Sequence, residues 1–105
     1  MKILLFYTPV ANTTEAESLG EKAVRSKLAA CANSFPIHSV FPWKGNIEKD
    51  GEVAVLLKTS TNHQDTLRQY LEEHHSYDVP AILCWEAEVN EAYGKWVEEE
   101  TTPDQ

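Results

Sequence analysis

Apolar positions in this chain fall into two kinds of pattern: short runs that are apolar throughout, and longer stretches with helical spacing. The clearest run is Val53–Leu57, Val-Ala-Val-Leu-Leu, apolar on both parities. A half-buried strand alternates, whereas a strand covered on both faces reads as a continuous apolar run. This run is the second arm of a long β-hairpin, Ser39–Ser60. Two dipeptides compete for its turn, Gly45-Asn46 and Asp50-Gly51. Asp-Gly suits a two-residue type I′ turn, so the turn is expected at Asp50-Gly51, with Lys44-Gly45-Asn46 as a bulge in the first arm. The reverse assignment is the alternative.

The remaining elements follow in order. Lys2–Thr8 is a strand, expected to close at Pro9. Asn12 and Thr14 each have a Glu three residues on, and either caps a helix. Ala16, Leu19, Ala23, Val24 and Leu28 carry that helix to about Leu28. Ala29–Phe35 begins a second strand, which contains Pro36 and Pro42. After the hairpin, Thr61 and Gln64 form a capping box, and Leu67, Tyr70, Leu71 and His74 share one face of a second helix. A last strand is expected over Ala81–Ala87. Asn90 then caps a short helix presenting Ala92, Tyr93, Trp96 and Val97, and the acidic stretch from Glu98 to Gln105 frays.

The order β-α-β-β-α-β plus a terminal helix is the split βαβ, ferredoxin-like plan of an α+β protein with an antiparallel sheet. Proline cannot donate to a ladder and belongs on edges or strand starts. Pro36 and Pro42 therefore mark the second strand as one edge, and Pro80 marks the fourth as the other. The first and third strands become the central pair. Two helices cover one face of such a sheet, yet both parities of the central strands are apolar: Leu4, Phe6 and Leu56 on one set, Ile3, Leu5, Val53, Val55 and Leu57 on the other. Leaving three or more such side chains in water forfeits about 1.5–3 kcal/mol each, which approaches the whole stability of a small domain. A homo-oligomer is therefore expected, with the terminal helix folded back over the open face as the alternative.

Composition narrows the functional classes. With 105 residues, 42% of them hydrophobic and 25% charged, the chain is one globular domain, residues 1–105. Its net charge of -8 argues against a nucleic-acid backbone or an anionic membrane as main partner. Cys31 and Cys84 sit among apolar neighbours and read as small buried hydrophobes. The apolar run Ile3–Tyr7 is too short for a signal-peptide core or a membrane span, so a cytoplasmic location is expected.

Candidate chemistry is sparse. His74-His75 at a helix end is either a pair of electrostatic helix caps or a pair of neutral imidazoles suited to copper, zinc or nickel. Adjacent helical residues diverge by about 100°, so both bind one ion only where the helix unwinds. His38 and His63 are isolated and read as surface or structural. Lys58 ends the apolar run and puts an ammonium where an anion or a carboxylate would meet it. Glu52 shares its parity but lies about 20 Å away along the strand, so the two can meet only across a subunit boundary. Trp43 and Tyr77, with Tyr93 and Trp96, read as packing anchors or as the lining of a subunit cleft. There is no glycine-rich phosphate loop, Gly-x-Ser-x-Gly, Cys-x-x-Cys or His-Glu-x-x-His, so no catalytic residue or organic cofactor is indicated.

Taken together, Lys27-Leu-Ala-Ala-Cys-Ala-Asn33, Trp43-Lys-Gly-Asn-Ile47, Glu52 through Thr59, His74-His-Ser-Tyr-Asp-Val-Pro80 and Tyr93-x-x-Trp96 resemble the CutA family of divalent-cation tolerance proteins, in the family's order over almost the whole length. The resemblance implies a ferredoxin-like fold, a tight homotrimer, a cytoplasmic protein linked to tolerance of copper and other divalent cations, and kinship to PII-type signalling trimers. It implies no catalytic mechanism. The family's suggested copper ligands are a histidine pair, matched by His74 and His75, and a cysteine at the end of the first strand, where this chain has Tyr7. A phenol is a much poorer copper ligand than a thiolate. Lys27 stands where Arg is usual, Ser76 replaces a Pro, and the segment after Pro36 is one residue short and lacks a Gly. The resemblance leaves a second functional reading: a PII-like signalling or adaptor trimer taking a small anion or a partner protein in subunit clefts near Trp43, Glu52 and Lys58.

Overall fold

A computed structural model describes residues 1–103. In chain order the elements are β1 (Lys2–Val10), α1 (Thr13–Arg25), β2 (Cys31–Trp43), β3 (Asn46–Thr59), a 3₁₀ turn (Thr61–His63), α2 (Gln64–His74), β4 (Leu83–Glu88) and α3 (Glu91–Glu100). The four strands form one antiparallel sheet in the order β2-β3-β1-β4. This is the ferredoxin-like arrangement, with β1 and β3 central. The prolines lie where the ladder tolerates them: Pro36 and Pro42 are on edge strand β2, and Pro80 precedes β4.

Several local expectations are corrected. The hairpin turns at Lys44-Gly45, between the paired residues Trp43 and Asn46. Lys44 and Gly45 have φ of 51° and 83°, the doubly left-handed signature of a two-residue type I′ turn. Asp50 and Gly51 lie inside β3, paired with Ser39 and His38. β1 runs through Pro9 to Val10. The β4 pairing ends at Tyr7–Leu83, so on that side the missing Pro9 N–H is asked for nothing. Of the two candidate caps for α1, Asn12 accepts the Glu15 N–H at 2.8 Å. The helix stops at Arg25, short of Leu28, because Lys27 turns left-handed at φ 61°. The Lys27 and Leu28 amides then close on Val24 and Ala23 carbonyls, the double bond of a Schellman motif.

The box expected at Thr61 and Gln64 is replaced by the 3₁₀ turn, and neither Ser60 nor His63 makes a side-chain cap. Asn90 also lacks a cap bond. The tail does not fray from Glu98. Thr101 is buried, its hydroxyl 2.8 Å from Ser60 Oγ, and its carbonyl accepts His63 Nε2 at 2.7 Å. The last two residues of the stretch expected to fray lie outside the described residues.

The register settles which face is which. Leu4, Phe6, Val10, Val55 and Leu57 face the helices and pack with Ala16, Leu19 and Ala23 of α1 and Leu67, Tyr70 and Leu71 of α2. Ile3, Leu5, Tyr7, Ala54 and Leu56 point to the other face. The terminal helix covers only one end of it, laying Val97 and Tyr93 over Ile3, Leu5 and Ala87. The rest stays open in a single chain: Phe35, Trp85 and Leu83 are 42%, 44% and 50% exposed. The hairpin beyond Val10–Val53, the last β1–β3 pair, projects as a two-stranded arm and stretches the molecule to 49 × 26 × 21 Å. Val40, Trp43 and Ile47 on that arm are also exposed.

Candidate functional site

The histidine pair sits where α2 ends over the N-terminus of α1. Leu67, Tyr70 and Leu71 bury one face of α2, and the Tyr70 hydroxyl donates to the Leu19 carbonyl at 2.8 Å, tying α2 to α1. His74, one turn on from Tyr70, stacks on its ring with centroids 4.5 Å apart. Its Nδ1 lies 2.9 Å from the Tyr70 carbonyl. A carbonyl only accepts, so Nδ1 carries the proton, and among the described residues Nε2 makes no hydrogen bond. His74 lines a cleft of about 370 Å³ with Asn12, Thr14, Glu15, Ser18 and Lys22 of the α1 end.

His75 leaves the helix with extended backbone, ψ 141°. The unwinding that a shared ion would require is therefore present, but His75 is turned to other work. Its Nε2 donates to the Pro9 carbonyl at 2.8 Å. Its Nδ1 accepts the Tyr77 N–H at 3.1 Å. Both ring nitrogens are engaged, and the imidazole is the neutral Nε2–H tautomer. The ring also lies 4.7 Å from that of Tyr77. Tyr77 in turn donates its hydroxyl to Glu52 Oε2 at 2.7 Å. Burial, the Glu52 acceptor and the charges of Glu52, Glu15 and Asp50 push the Tyr77 phenol well above its ordinary range, so it remains a protonated donor.

Glu15 closes the same corner from the other side. One carboxylate oxygen accepts the Ser76 N–H at 3.2 Å, the other the Ala11 N–H at 3.3 Å. Burial opposes its ionisation. The hydrogen bonds from Ser76 and Ala11 outweigh that and hold its carboxyl below the usual value. The segment from His75 to Pro80 is thus strapped to β1, to α1 and to the base of the arm.

The other predicted residues do not share one place. Glu52 and Tyr77 meet directly. Trp43 flanks the turn at the tip of the arm, six paired positions and about 20 Å from the Ile37–Glu52 pair. Lys58 is paired with Cys31 on one side and Leu5 on the other, and its ammonium lies over the Tyr93 ring, 5.7 Å from the centroid. Tyr7 is half-buried on the open face between Leu56 and Leu83. Both cysteines are free thiols. Cys84 packs against the core, and burial pushes its thiol up despite nearby Arg68. Among the described residues no three His, Cys, Asp or Glu side chains cluster closely enough to hold a metal ion. His63 proves structural, pinning the end of α3. The sequence reading missed the second role of Glu15. The Asn12-x-x-Glu15 box was a visible signal, but its reach to Ser76 spans 61 positions.

Comparison with known proteins is consistent along the chain. The family model described as CutA1 divalent ion tolerance protein matches residues 4–100. The divalent-cation tolerance protein CutA of Pyrococcus horikoshii is 37% identical over 100 residues, 94% of this chain and 98% of that one. Its namesake in Thermotoga maritima is 35% identical over 98 residues, 92% of this chain and 97% of that one. The crystal structure of the divalent ion tolerance protein CutA1 from Ehrlichia chaffeensis superposes with a TM-score of 0.93 at 31% identity, covering 96% of each chain.

Proposed function

The chain belongs to the CutA1 divalent ion tolerance family, and from that premise we propose that it is a cytoplasmic homotrimer that binds a divalent cation such as copper at the His74–His75 corner. One observation carries the cation reading: His74 is fixed through Nδ1, its Nε2 makes no hydrogen bond among the described residues, and it lines a cleft that Glu15 also lines. Imidazole nitrogen is a good donor for copper, zinc and nickel. The fit is for one imidazole, since His75 spends both nitrogens within the chain. A strand-end thiolate is missing too, with Tyr7 in its place. The corner so described suits a modest, exchangeable site better than a caged metal centre.

Assembly is supported by the apolar patch that α3 leaves open. Covering Phe35, Leu83 and Trp85 recovers part of about 1.5–3 kcal/mol for each, and a second copy carries the matching surface. The two free thiols suit a reducing compartment.

The test is calorimetric titration of the protein with Cu(II) and Zn(II), beside His74→Ala. Loss of most of the affinity in the variant supports the reading; identical isotherms reject His74 as a ligand. A second reading has its own support. Lys58 is half-buried, and its ammonium, among the described residues, has no carboxylate partner, only the Tyr93 ring. In a PII-like trimer that ammonium takes a small anion or a carboxylate of a neighbouring subunit or partner protein, near Glu52 and Trp43 of an adjacent copy. A metabolite panel that leaves the melting temperature unmoved, with no partner recovered by pull-down, counts against it.

A further inference from the structure

An imidazole and an ammonium share the cleft between α1 and the end of α2. His74 lines it from α2, and Thr14, Ser18 and Lys22 line it from α1. Those three stand four positions apart, on one face of α1, at steps of about 6 Å. All four side chains are exposed. Among the described residues Lys22 makes no ion pair, and the Thr14 and Ser18 hydroxyls make no hydrogen bond. The one carboxylate in the lining is Glu15, whose oxygens accept the Ala11 and Ser76 amides.

This lining fits a bare divalent ion poorly. It offers one imidazole nitrogen, and among the described residues no three His, Cys, Asp or Glu side chains cluster to complete a coordination shell. An ammonium in the same cleft repels a dication. The space is also too large for a hydrated ion: about 370 Å³, against roughly 180 Å³ for six waters at about 30 Å³ each. A chelated cation reverses each of these effects. A small polycarboxylate fills most coordination positions and leaves one for an imidazole. With three carboxylates on one dication the complex is an anion, which an ammonium attracts and hydroxyls hydrogen-bond. We infer that the His74 cleft takes its divalent cation as the anionic complex of a small polycarboxylate, in preference to the bare ion, with His74 Nε2 on the metal and Lys22, Thr14 and Ser18 on carboxylate oxygens. The inference rests on the cation reading of His74. It adds the chemical form of the ligand and a specificity-determining residue, Lys22.

Zinc citrate is the probe, with zinc alone and citrate alone beside it. Equilibrium dialysis measures the zinc and the citrate retained by the native chain, His74→Ala, Lys22→Gln and Lys22→Glu. The native chain is expected to retain more zinc when citrate is present, with the two retained in equal amounts, and His74→Ala to lose most of both. Lys22→Gln should weaken zinc citrate about threefold, the worth of one exposed charge pair, and Lys22→Glu about tenfold. Lys22→Glu should at the same time tighten bare zinc, and opposite signs for the two probes are not what a merely structural role would give. Zinc retained alone, dependent on His74 and stripped by citrate, overturns the inference and leaves the cation reading standing. An affinity for zinc citrate that Lys22→Glu leaves unchanged overturns it too. Citrate retained equally with and without zinc overturns it as well, marking a plain anion site. If neither zinc nor zinc citrate is retained, the inference and the cation reading fall together.

Discussion

Replacing Gly20 by alanine pits two effects of similar size against each other. Helix α1 carries Asn12 and Glu15 to the histidine corner, and Gly20 in it lies close against Ala32 of β2. A Cβ there would lie 2.8 Å from the Ala32 Cβ, where ordinary contacts begin near 3.4 Å. Neither atom is the end of a flexible side chain, so one backbone must retreat by about half an ångström. In favour of the substitution is helix propensity, about 1 kcal/mol for alanine over glycine in a helix interior. Against it is overpacking of a fitted contact, about 1–3 kcal/mol. Strain wins: Gly20→Ala should lose about 1 kcal/mol and about 4–8 °C in melting temperature. Urea unfolding at one fixed chain concentration measures it, since an assembling protein gains stability by mass action. Ala32→Gly in the same background should recover part of the loss, a favourable coupling of about 0.5–3 kcal/mol in the double-mutant cycle. A single variant more stable than the native chain, with no coupling to Ala32, would refute the reasoning.

Two further outcomes follow from the open face and the strap. Leu56 is half-buried mid-face, beside Tyr7 and Asn33. Leu56→Lys should fold as a single chain yet fail to assemble, because assembly would bury an unpaired charge at a cost of several kcal/mol; sedimentation velocity reads the result. Glu15 has its pKa lowered in the folded chain, so its contribution to stability is present above the unfolded carboxylate value of about 4 and is lost as pH falls through the folded value. Glu15→Gln should therefore be less stable than the native chain at neutral pH, with the gap closing in acid; a gap that widened below pH 4 would contradict the sign.

The strand order was legible because proline states a physical fact about the ladder. Pro36, Pro42 and Pro80 mark both edges, and a central β1–β3 pair follows. Pro9 misled for the same reason: its lack of a donor matters only where a neighbour asks for one, and β4 ends before reaching it. The turn was misplaced because Asp50-Gly51 and Lys44-Gly45 each contain a glycine, and the choice rests on strand pairing across the whole arm. Lys44 accepts a left-handed backbone that lysine does not advertise. Which parity faced the helices depended on register, which residue types do not encode until the strands are aligned. At the site, His74-His75 was visible as a pair, but the difference between them was not. It arises from Tyr70 one turn back and from a Pro9 carbonyl 66 positions away.

The central claim is that the sheet face left open by α3 is covered by further copies of the same chain, which bring the arm and its Glu52 into a shared structure. Sedimentation equilibrium of the native protein at micromolar concentration tests it most directly. The account predicts a single species of about 36 kDa, three times the 11.9 kDa of one chain, that persists on tenfold dilution. A mass of one chain at that concentration, with Phe35, Leu83 and Trp85 left in water, would contradict it.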